Sequence, residues 1–507
     1  VSARVDVTPE LGLLVEGVPV PDDAVGALSL LTLRAELGLP AQCELQFQDP
    51  PALLWAQLVL RPGRALRITV GPARRTLFEG AVVAVEHEAG PAAGRRLYVR
   101  AYDALHKLRQ RYRLETYADV TAVDLARRLT REDGLTVAAD RDGPVWRSLI
   151  HDGRDDLGLL RDVAHRAGLY PTVRERRLAL LGLEGAGPPF PLVLGEDLWE
   201  ARAELNGDHR VDAVEAFGWD PRQPQAFHGQ AERGRLGRRA EAEVRGSQVG
   251  ATGPRALVLV AAESDGHAEH QAQAALDRIE AGSLTVSGRA AGDPLLWPGQ
   301  QVLVAGLAPH LDGLHVLTRV EHRVSGLTGY TVDFEAGAPA APPPQVGLRA
   351  AEAEVTQVAD PDHLGRVRVK LLGYKDAETD WLRCLSPGGG AGKGFVTVPS
   401  IGDRVLVLLA DADPARAVVL GGLFGPDGPP DSGVQGDRVE RFSLRTPAGH
   451  ALSLDERTGE VKLENGDGTH ILLSPDKVVI HAKRELVLES PGKNMKIRAK
   501  RIDFEEA

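Results

Sequence analysis

Four clusters in this chain carry residue types that do chemistry elsewhere. Gly388 to Gly394 (GGGAGKG) has the glycines and lysine of a phosphate-cradling loop. Such a loop needs Gly, four residues, then Gly-Lys-Ser/Thr, so that backbone N–H groups and the lysine converge on the phosphates. Here Pro387 stands five before Gly392 and Gly394 follows Lys393, so the pattern fails twice and a flexible loop is expected. His267 and His270 lie one helical turn apart around Glu269, a spacing metal ligands use. His-Glu-x-x-His is absent and no third ligand is evident, so a solvated helix face is expected. Asp152, Asp155 and Asp156 are an acid cluster at a helix start, where capping is the simpler reading than acid/base work. His470 and His481 fall in a strand-rich tail and are expected to point outward; inward, three copies would ring an axial ion. No Gly-x-Ser-x-Gly occurs. These residues assign no catalytic, cofactor-binding or metal position, and no enzyme and no cofactor are expected.

The 507 residues suit three to five domains. Apolar residues make up 43% and aromatics only 5%, with 56 glycines, which favours many short strands and turns over large helical cores. The formal net charge of -11 argues against a nucleic-acid partner, which would call for a basic face. Cys43 and Cys384 form no Cys-x-x-Cys and read as reduced, buried residues of a chain made in the cytosol. Val1 to Glu10 shows no basic segment followed by an apolar core, so no signal peptide is expected. The longest apolar runs, such as Ala24 to Leu33, are too short to span a bilayer.

Residues 1–105 read as a first β-domain, with strands at Leu28 to Arg34, Cys43 to Phe47, Arg64 to Val70, Ala81 to His87 and Arg96 to Tyr102. A mixed α/β insert occupies 106–196, with helices over Val120 to Glu132 and Asp155 to Gly168. Residues 197–337 return to strands: Ser283 to Val286, Gln301 to Ala305, His315 to His322 and Tyr330 to Phe334, after a helix at Gly266 to Gly282. Pro62-Gly63, Glu79-Gly80 and Glu86-His87 in the first region match Pro298-Gly299, Asp312-Gly313 and Glu321-His322 in the second. The offset is 236 for Pro-Gly and 235 for Glu-His, which reads as one β-domain used twice. Three chains with two copies each would present six similar units to a sixfold partner.

A Pro/Ala linker (338–347) follows, and lysine usage changes after it: Lys107 is the only lysine before Lys370. Residues 348–430 hold five strand candidates, Glu352 to Val358, Arg366 to Leu372, Phe395 to Val398, Arg404 to Ala410 and Ala417 to Gly421, the pattern of a small closed OB-type barrel. The turn positions Gly365, Gly394, Pro399, Gly402, Asp413, Pro414, Gly421 and Gly422 are its structural residues. In 431–507 seven short strands recur: Ala451 to Leu454, Glu460 to Leu463, His470 to Leu473, Val478 to His481, Glu485 to Leu488, Met495 to Arg498 and Ile502 to Phe504. Their apolar stripe, Leu452, Leu454, Val461, Leu463, Leu473 and Ile480, has too little chain around it to build a core alone. An intertwined triple-stranded β-helix of a homotrimer solves that, about 40 Å long at about 4.8 Å per layer.

Gly365-Arg366-Val367-Arg368-Val369, Trp381, Gly388 to Gly392, Gly394-Phe395, Pro399 to Asp403, Asp413-Pro414, Gly421-Gly422 and Pro429-Pro430 stand in one ordered string. That string resembles the OB-type domain of VgrG proteins and related phage-baseplate spikes. Asp155 to Tyr170 is similar to a hub helix of that family, with Leu157 and Leu159 where aromatics are frequent, and Arg441 to Leu473 resembles its β-helix entry. The resemblance implies a mainly β protein: duplicated β-barrel hub domains, an α/β insert, an OB barrel and a C-terminal trimeric β-helix. It implies the central spike of a contractile injection system, and the lean form looks more like that of an extracellular, phage-tail-like particle. Its implied partners are two further copies, a hexameric inner-tube protein, baseplate proteins and a PAAR-like tip protein, with the target membrane pierced mechanically. It also implies assembly in the baseplate of an injection particle, with release outside the cell in the extracellular kind. Gly425 to Glu440 leaves no room for the wall-cleaving domain some phage spikes carry, and no toxin extension is expected after Ala507. The competing readings are a spike that binds a receptor or carbohydrate and a spike that carries an enzymatic effector. Exposed aromatics on the needle would favour the receptor reading, and residues 443–507 contain only Phe504.

Overall fold

Strict alternation of buried and open side chains makes several of the core strands. In Gln42–Gln48, Cys43, Leu45 and Phe47 point into the core while Gln42, Glu44, Gln46 and Gln48 alternate with them on the half-buried other face. The computed structural model describes residues 9–56, 59–91, 94–220, 225–258, 264–342, 349–374, 377–409, 417–425 and 428–505. The chain forms two compact units, Val1–Gly422 and Leu423–Ala507.

The first region supplies β1 (Leu11–Val15), β2 (Val18–Pro19), β3 (Leu28–Glu36), β4 (Gln42–Gln48), β5 (Ala65–Val70), β6 (Arg75–Gly90) and β7 (Gly94–Tyr102). The insert adds β8 (Tyr112–Val120), β9 (Thr136–Ala139), β10 (Trp146–Asp155), β11 (Tyr170–Arg174), β12 (Arg177–Leu181) and β13 (Ala186–Val193). Then come β14 (Leu198–Leu205), β15 (Val214–Asp220), β16 (Gln225–Ala231), β17 (Arg255–Val258), β18 (Leu284–Ala291), β19 (Gln300–Ala305), β20 (Gly313–Val316), β21 (Arg319–Ser325) and β22 (Gly329–Ala336).

The two β-regions expected as separate bodies are joined into one 11-stranded sheet, in the order β14-β18-β22-β21-β3-β4-β7-β6-β5-β1-β2. Its seam is the antiparallel pair β21–β3, and a single hydrophobic cluster runs through both halves, from Leu31 and Phe47 to Val320 and Phe334. The sequence repeat survives as strand register. Ala65 faces Ala81 and Gln301 faces Val316, offsets of 236 and 235. The turn bonds Gly63 N–H to Val82 O (2.8 Å) and Gly299 N–H to Leu317 O (2.7 Å) repeat in the same way. The run His315 to His322, expected as one strand, breaks: Leu317 donates to Gln300 and Thr318 to Glu335, so the chain crosses from one sheet to another. The continuous β6 has a register shift at the matching place, between Val82 and Ala84.

The insert has its own core, in which Leu125, Leu129, Leu160 and Val163 of the helices Ala122–Thr130 and Asp156–Arg166 meet Leu178 and Leu180. Thr121 caps the first helix reciprocally with Asp124. The helix Asp265–Ser283 packs Ala268, Ala272 and Leu276 against Val214, Ala216 and Phe227 of β15 and β16.

The barrel contains β23 (Arg349–Gln357), β24 (Arg368–Leu371), β25 (Ala377–Glu378), β26 (Arg404–Leu409) and β27 (Ala417–Leu423), ordered β25-β24-β23-β26-β27. Single bridges at Val367–Leu382 and Cys384–Val419 carry the chain between its two ends around Val355, Val369 and Val407. Phe395 to Val398, expected as a strand, is an exposed loop; β24 pairs instead with β25, and β27 is bonded by Arg383 and Leu385 at Val419. Asp413 and Pro414, and residues 343–347 of the linker, lie outside the described residues.

After β28 (Val434–Gln435) and β29 (Arg438–Val439), the C-terminal unit is an antiparallel meander. Its strands are β30 (Arg441–Arg445), β31 (Ala451–Asp455), β32 (Glu460–Glu464), β33 (His470–Leu473) and β34 (Val478–His481). The strands expected at Glu485 to Leu488, Met495 to Arg498 and Ile502 to Phe504 are absent among the described residues. A strand needs a neighbour to pair with, and these segments have none among the described residues.

Candidate assembly surfaces

The meander brings the expected apolar stripe onto one face. Directly opposed residues of antiparallel strands share a face. Phe442, Leu454, Val461, Leu473 and Val478 therefore form one row across the five strands, and Leu444, Leu452, Leu463, Ile471 and Ile480 form the next. All six predicted stripe residues lie in this grid; Phe442, Leu444, Ile471 and Val478 complete it. Nearly all of it is uncovered, Leu463 and Ile480 at 54% exposure each. The other face is mostly polar: Ser443, Ser453 and Lys462 in one row, Arg445, Glu464, His470 and His481 in the other. His470 and His481 thus stand as neighbours opposite the apolar grid, their rings 5.1 Å apart. The entry to the meander is tied by Arg441, which bonds Asp431 at 2.6 Å and Asp455 at 3.3 Å. The Arg441 guanidinium holds the Asp431 carboxyl well below the usual carboxylate range.

The acidic turn ahead of Gly365 has a clear physical job. Asp360 accepts backbone N–H groups from Asp362, Leu364 and Arg366, and takes the Arg366 side chain through Nε (3.0 Å) and Nη2 (2.6 Å). Both side chains are buried, and the bidentate arginine lowers the Asp360 pKa strongly. Gly365, at φ +69°, lets the chain leave this turn into β24. Gly402, at φ +88°, donates to Val355 O (2.9 Å), while Asp403 accepts the Ser400 N–H (2.7 Å), which fixes the turn into β26. Gly394, Gly421 and Gly422 also sit at bends or strand ends, and Pro399 leads into the Gly402 turn. Next to it an apolar rim stays open to solvent: Leu385, Phe395, Val396 (83% exposed) and Ile401.

The chemical candidates separate. The Gly388–Gly394 loop is a tight turn in which Gly390 and Lys393 exchange backbone bonds of 2.9 and 3.2 Å; it is exposed throughout and opens no helix. The helix face expected to be solvated is not: His267 is buried edge-on against Trp146, with ring centres 4.3 Å apart, while His270 is half-buried and bonds Gly266 O. Among the described residues no group of three or more His, Cys, Asp or Glu is placed to hold a metal. The three acids do three jobs. Asp155 caps its helix through Gly158 N–H, and Asp152 pairs with Arg154. Asp156 is buried with His151 (3.0 Å) and Arg113 (3.0 Å), a cross-link from β10 and β8 to the helix that adjacent sequence positions do not announce. A cleft of about 740 Å³ lies beside Phe78, Lys107, Arg174 and Trp297. Its most perturbed acid, Asp103, is pushed up to about 7 by burial, yet both its oxygens are held by the Ala41 and Leu105 N–H groups. That is a structural arrangement. Cys43 and Cys384 are free thiols, the first buried and the second half-buried. No helix among the described residues is long and apolar enough to cross a membrane, which leaves membrane passage by strands unaddressed.

Comparison with known proteins agrees with this anatomy. Residues 351–424 match the type VI secretion system/phage-baseplate injector OB domain. Residues 54–326, more than half of the chain, match the Alg8 N-terminal domain. Over 131 residues the chain is 26% identical to the type VI secretion system spike protein VgrG4b of Pseudomonas aeruginosa; the match spans 24% of this chain and only 15% of that relative's length. In fold it is similar to the E. coli c3393 protein, a type VI secretion system component with structural similarity to bacteriophage T4 tail proteins gp27 and gp5. That likeness has a TM-score of 0.54 at 16% identity, over 81% of this chain and 99% of the other. It is also similar to a chain of the half-lidded Francisella PdpA–VgrG complex, with a TM-score of 0.57 at 8% identity, over 93% and 88%.

Proposed function

Because the chain belongs to the family of the Alg8 N-terminal domain and is a VgrG-like, baseplate-spike structural protein, we propose that it works as a homotrimeric hub and needle. In this reading three copies bury their apolar grids around a common axis, and the β-repeats present a pseudo-sixfold ring to a hexameric inner tube. Sheath contraction elsewhere supplies the work, and the trimer transmits it to a target envelope. Baseplate proteins hold the hub, a PAAR-like protein caps the tip, and the spike itself catalyses nothing. It is made in the cytoplasm, assembled in the baseplate and carried out with the particle.

The observation that carries the proposal is the ten-residue apolar grid on an otherwise uncovered face. A sheet with one apolar side must bury it, and a patch of this kind on a lone chain marks an interface. Wrapping three chains also gives high kinetic stability, because many backbone bonds must break together. Leu463→Asp tests it. A carboxylate set between Leu452 and Ile471 should abolish the trimer, while Lys462→Ser on the opposite face should leave it intact. A normal trimer from Leu463→Asp would remove the grid as the interface.

A further inference from the structure

A cleft of about 330 Å³ opens where the helix Asp265–Ser283 passes the strand β17 and the end of the helix Asp156–Arg166. Local periodicity builds its walls. On the long helix Gln271, Ala275, Arg278 and Ile279 recur at helical spacing and share one face. On β17, Arg255 and Leu257 stand two apart and share a face as well. His165 and Arg166 form the last turn of the shorter helix. Arg278 Nη1–H donates to His165 O at 3.1 Å and ties the two helices together at that wall.

The lining carries one sign of charge. Three arginines border the cleft, and among the described residues no Asp or Glu does. Arg166 is paired with Asp162 at 2.9 Å, whereas Arg255 and Arg278 make no ion pair among the described residues. Burial, with the charges of Arg278, Arg161 and Arg166, lowers the His165 pKa to about 3, so the imidazole is neutral in a positive field. Leu257, Ala275 and Ile279 supply apolar surface beside these charges. Two lining side chains also lack a partner. Gln271 is 7% exposed, and its buried Nε2 finds no acceptor; His165 Nδ1 is buried and unbonded too, both among the described residues. A buried donor with no acceptor is costly and rare in a native fold, so Gln271 marks a place where an oxygen ligand is missing.

We infer that this cleft binds a carboxylate carried on a small apolar body. The carboxylate takes the Arg255 and Arg278 guanidiniums and the Gln271 amide N–H, and the apolar part lies on Leu257, Ala275 and Ile279. Either a free short-chain acid or the carboxyl end of a chain with an apolar last residue has this chemistry. The site lies within the Val1–Gly422 unit and does not depend on the apolar grid of the C-terminal unit.

Ligand-observed NMR on the full chain tests it, with N-acetyl-leucine as the probe and the uncharged N-acetyl-leucinamide as the control. The acid should bind saturably and the amide should not. Arg255→Gln removes the charge of an exposed side chain, and should weaken binding about tenfold or more with the melting temperature unchanged. Gln271→Leu should also weaken binding, yet raise the melting temperature of the free protein, because the unpartnered amide is gone. Hexanoate reads the source: binding equal to that of N-acetyl-leucine supports a free acid, and weaker binding supports a chain end. No saturable binding of either acid, or unchanged affinity in both variants, would overturn the site.

Discussion

Arg366→Leu is the substitution whose cost follows most directly from the barrel geometry. It removes two of the five hydrogen bonds that Asp360 accepts and leaves a carboxylate at 3% side-chain exposure with three backbone donors. Stripping one partner from a buried pair costs about 3–5 kcal/mol. The three remaining N–H groups still solvate the charge, so the expected loss is about 3 kcal/mol, at the low end of that range. The neighbouring Asp362, 63% exposed, bonds the same guanidinium, and Asp362→Asn should cost about 1 kcal/mol or less. Hydrogen exchange resolved over Val367 to Leu371 reads the barrel separately from the rest of the chain. The Arg366→Leu barrel should exchange on the order of a hundredfold faster, since each 1.4 kcal/mol is tenfold. Equal exchange in Arg366→Leu and Asp362→Asn would refute the claim that this pair holds the turn.

Three further outcomes follow from single sites. Burial lowers the His322 pKa to about 4, with Nε2–H given to Leu296 O and Nδ1 facing the Tyr330 hydroxyl. A histidine whose folded pKa lies below its unfolded value of about 6.5 loses stability as pH falls between those values; His322→Gln should flatten the unfolding free energy over pH 6.5 to 4 by about one proton. A Cβ at Gly80 would lie 2.1 Å from Tyr102 O, so Gly80→Ala should cost about 2 kcal/mol or more in urea unfolding. Lys393→Ala, in the exposed Gly-rich turn, should change neither stability nor assembly by more than about 0.5 kcal/mol, measured by melting and light scattering.

Local signals were strong where a strand or turn depends on its own residues. His470–Leu473 and Val478–His481 have the bounds that alternation predicts, and the Gly402-Asp403 turn follows from its two residue types. The repeat of Pro-Gly and Glu-His marks reappears as matching strand register. What escaped the sequence depends on partners far along the chain. The seam between β21 and β3 joins residues some 290 positions apart, and nothing near Arg34 announces Glu321, which it bonds at 2.9 Å. The run Phe395 to Val398 has strand-like residues but no strand neighbour among the described residues, so propensity alone misplaces it. Three tail segments fail for the same reason within one chain. The Asp cluster was legible as helix capping only for Asp155; the burial of Asp156 with His151 is set by β8 and β10 packing onto the helix.

The native mass of the purified full chain tests the central claim most directly. Light scattering after size exclusion should give a species near three times 54.3 kDa. A stable, folded monomer would contradict the hub-and-needle account, because the apolar grid from Phe442 to Ile480 would then have no chain to bury it.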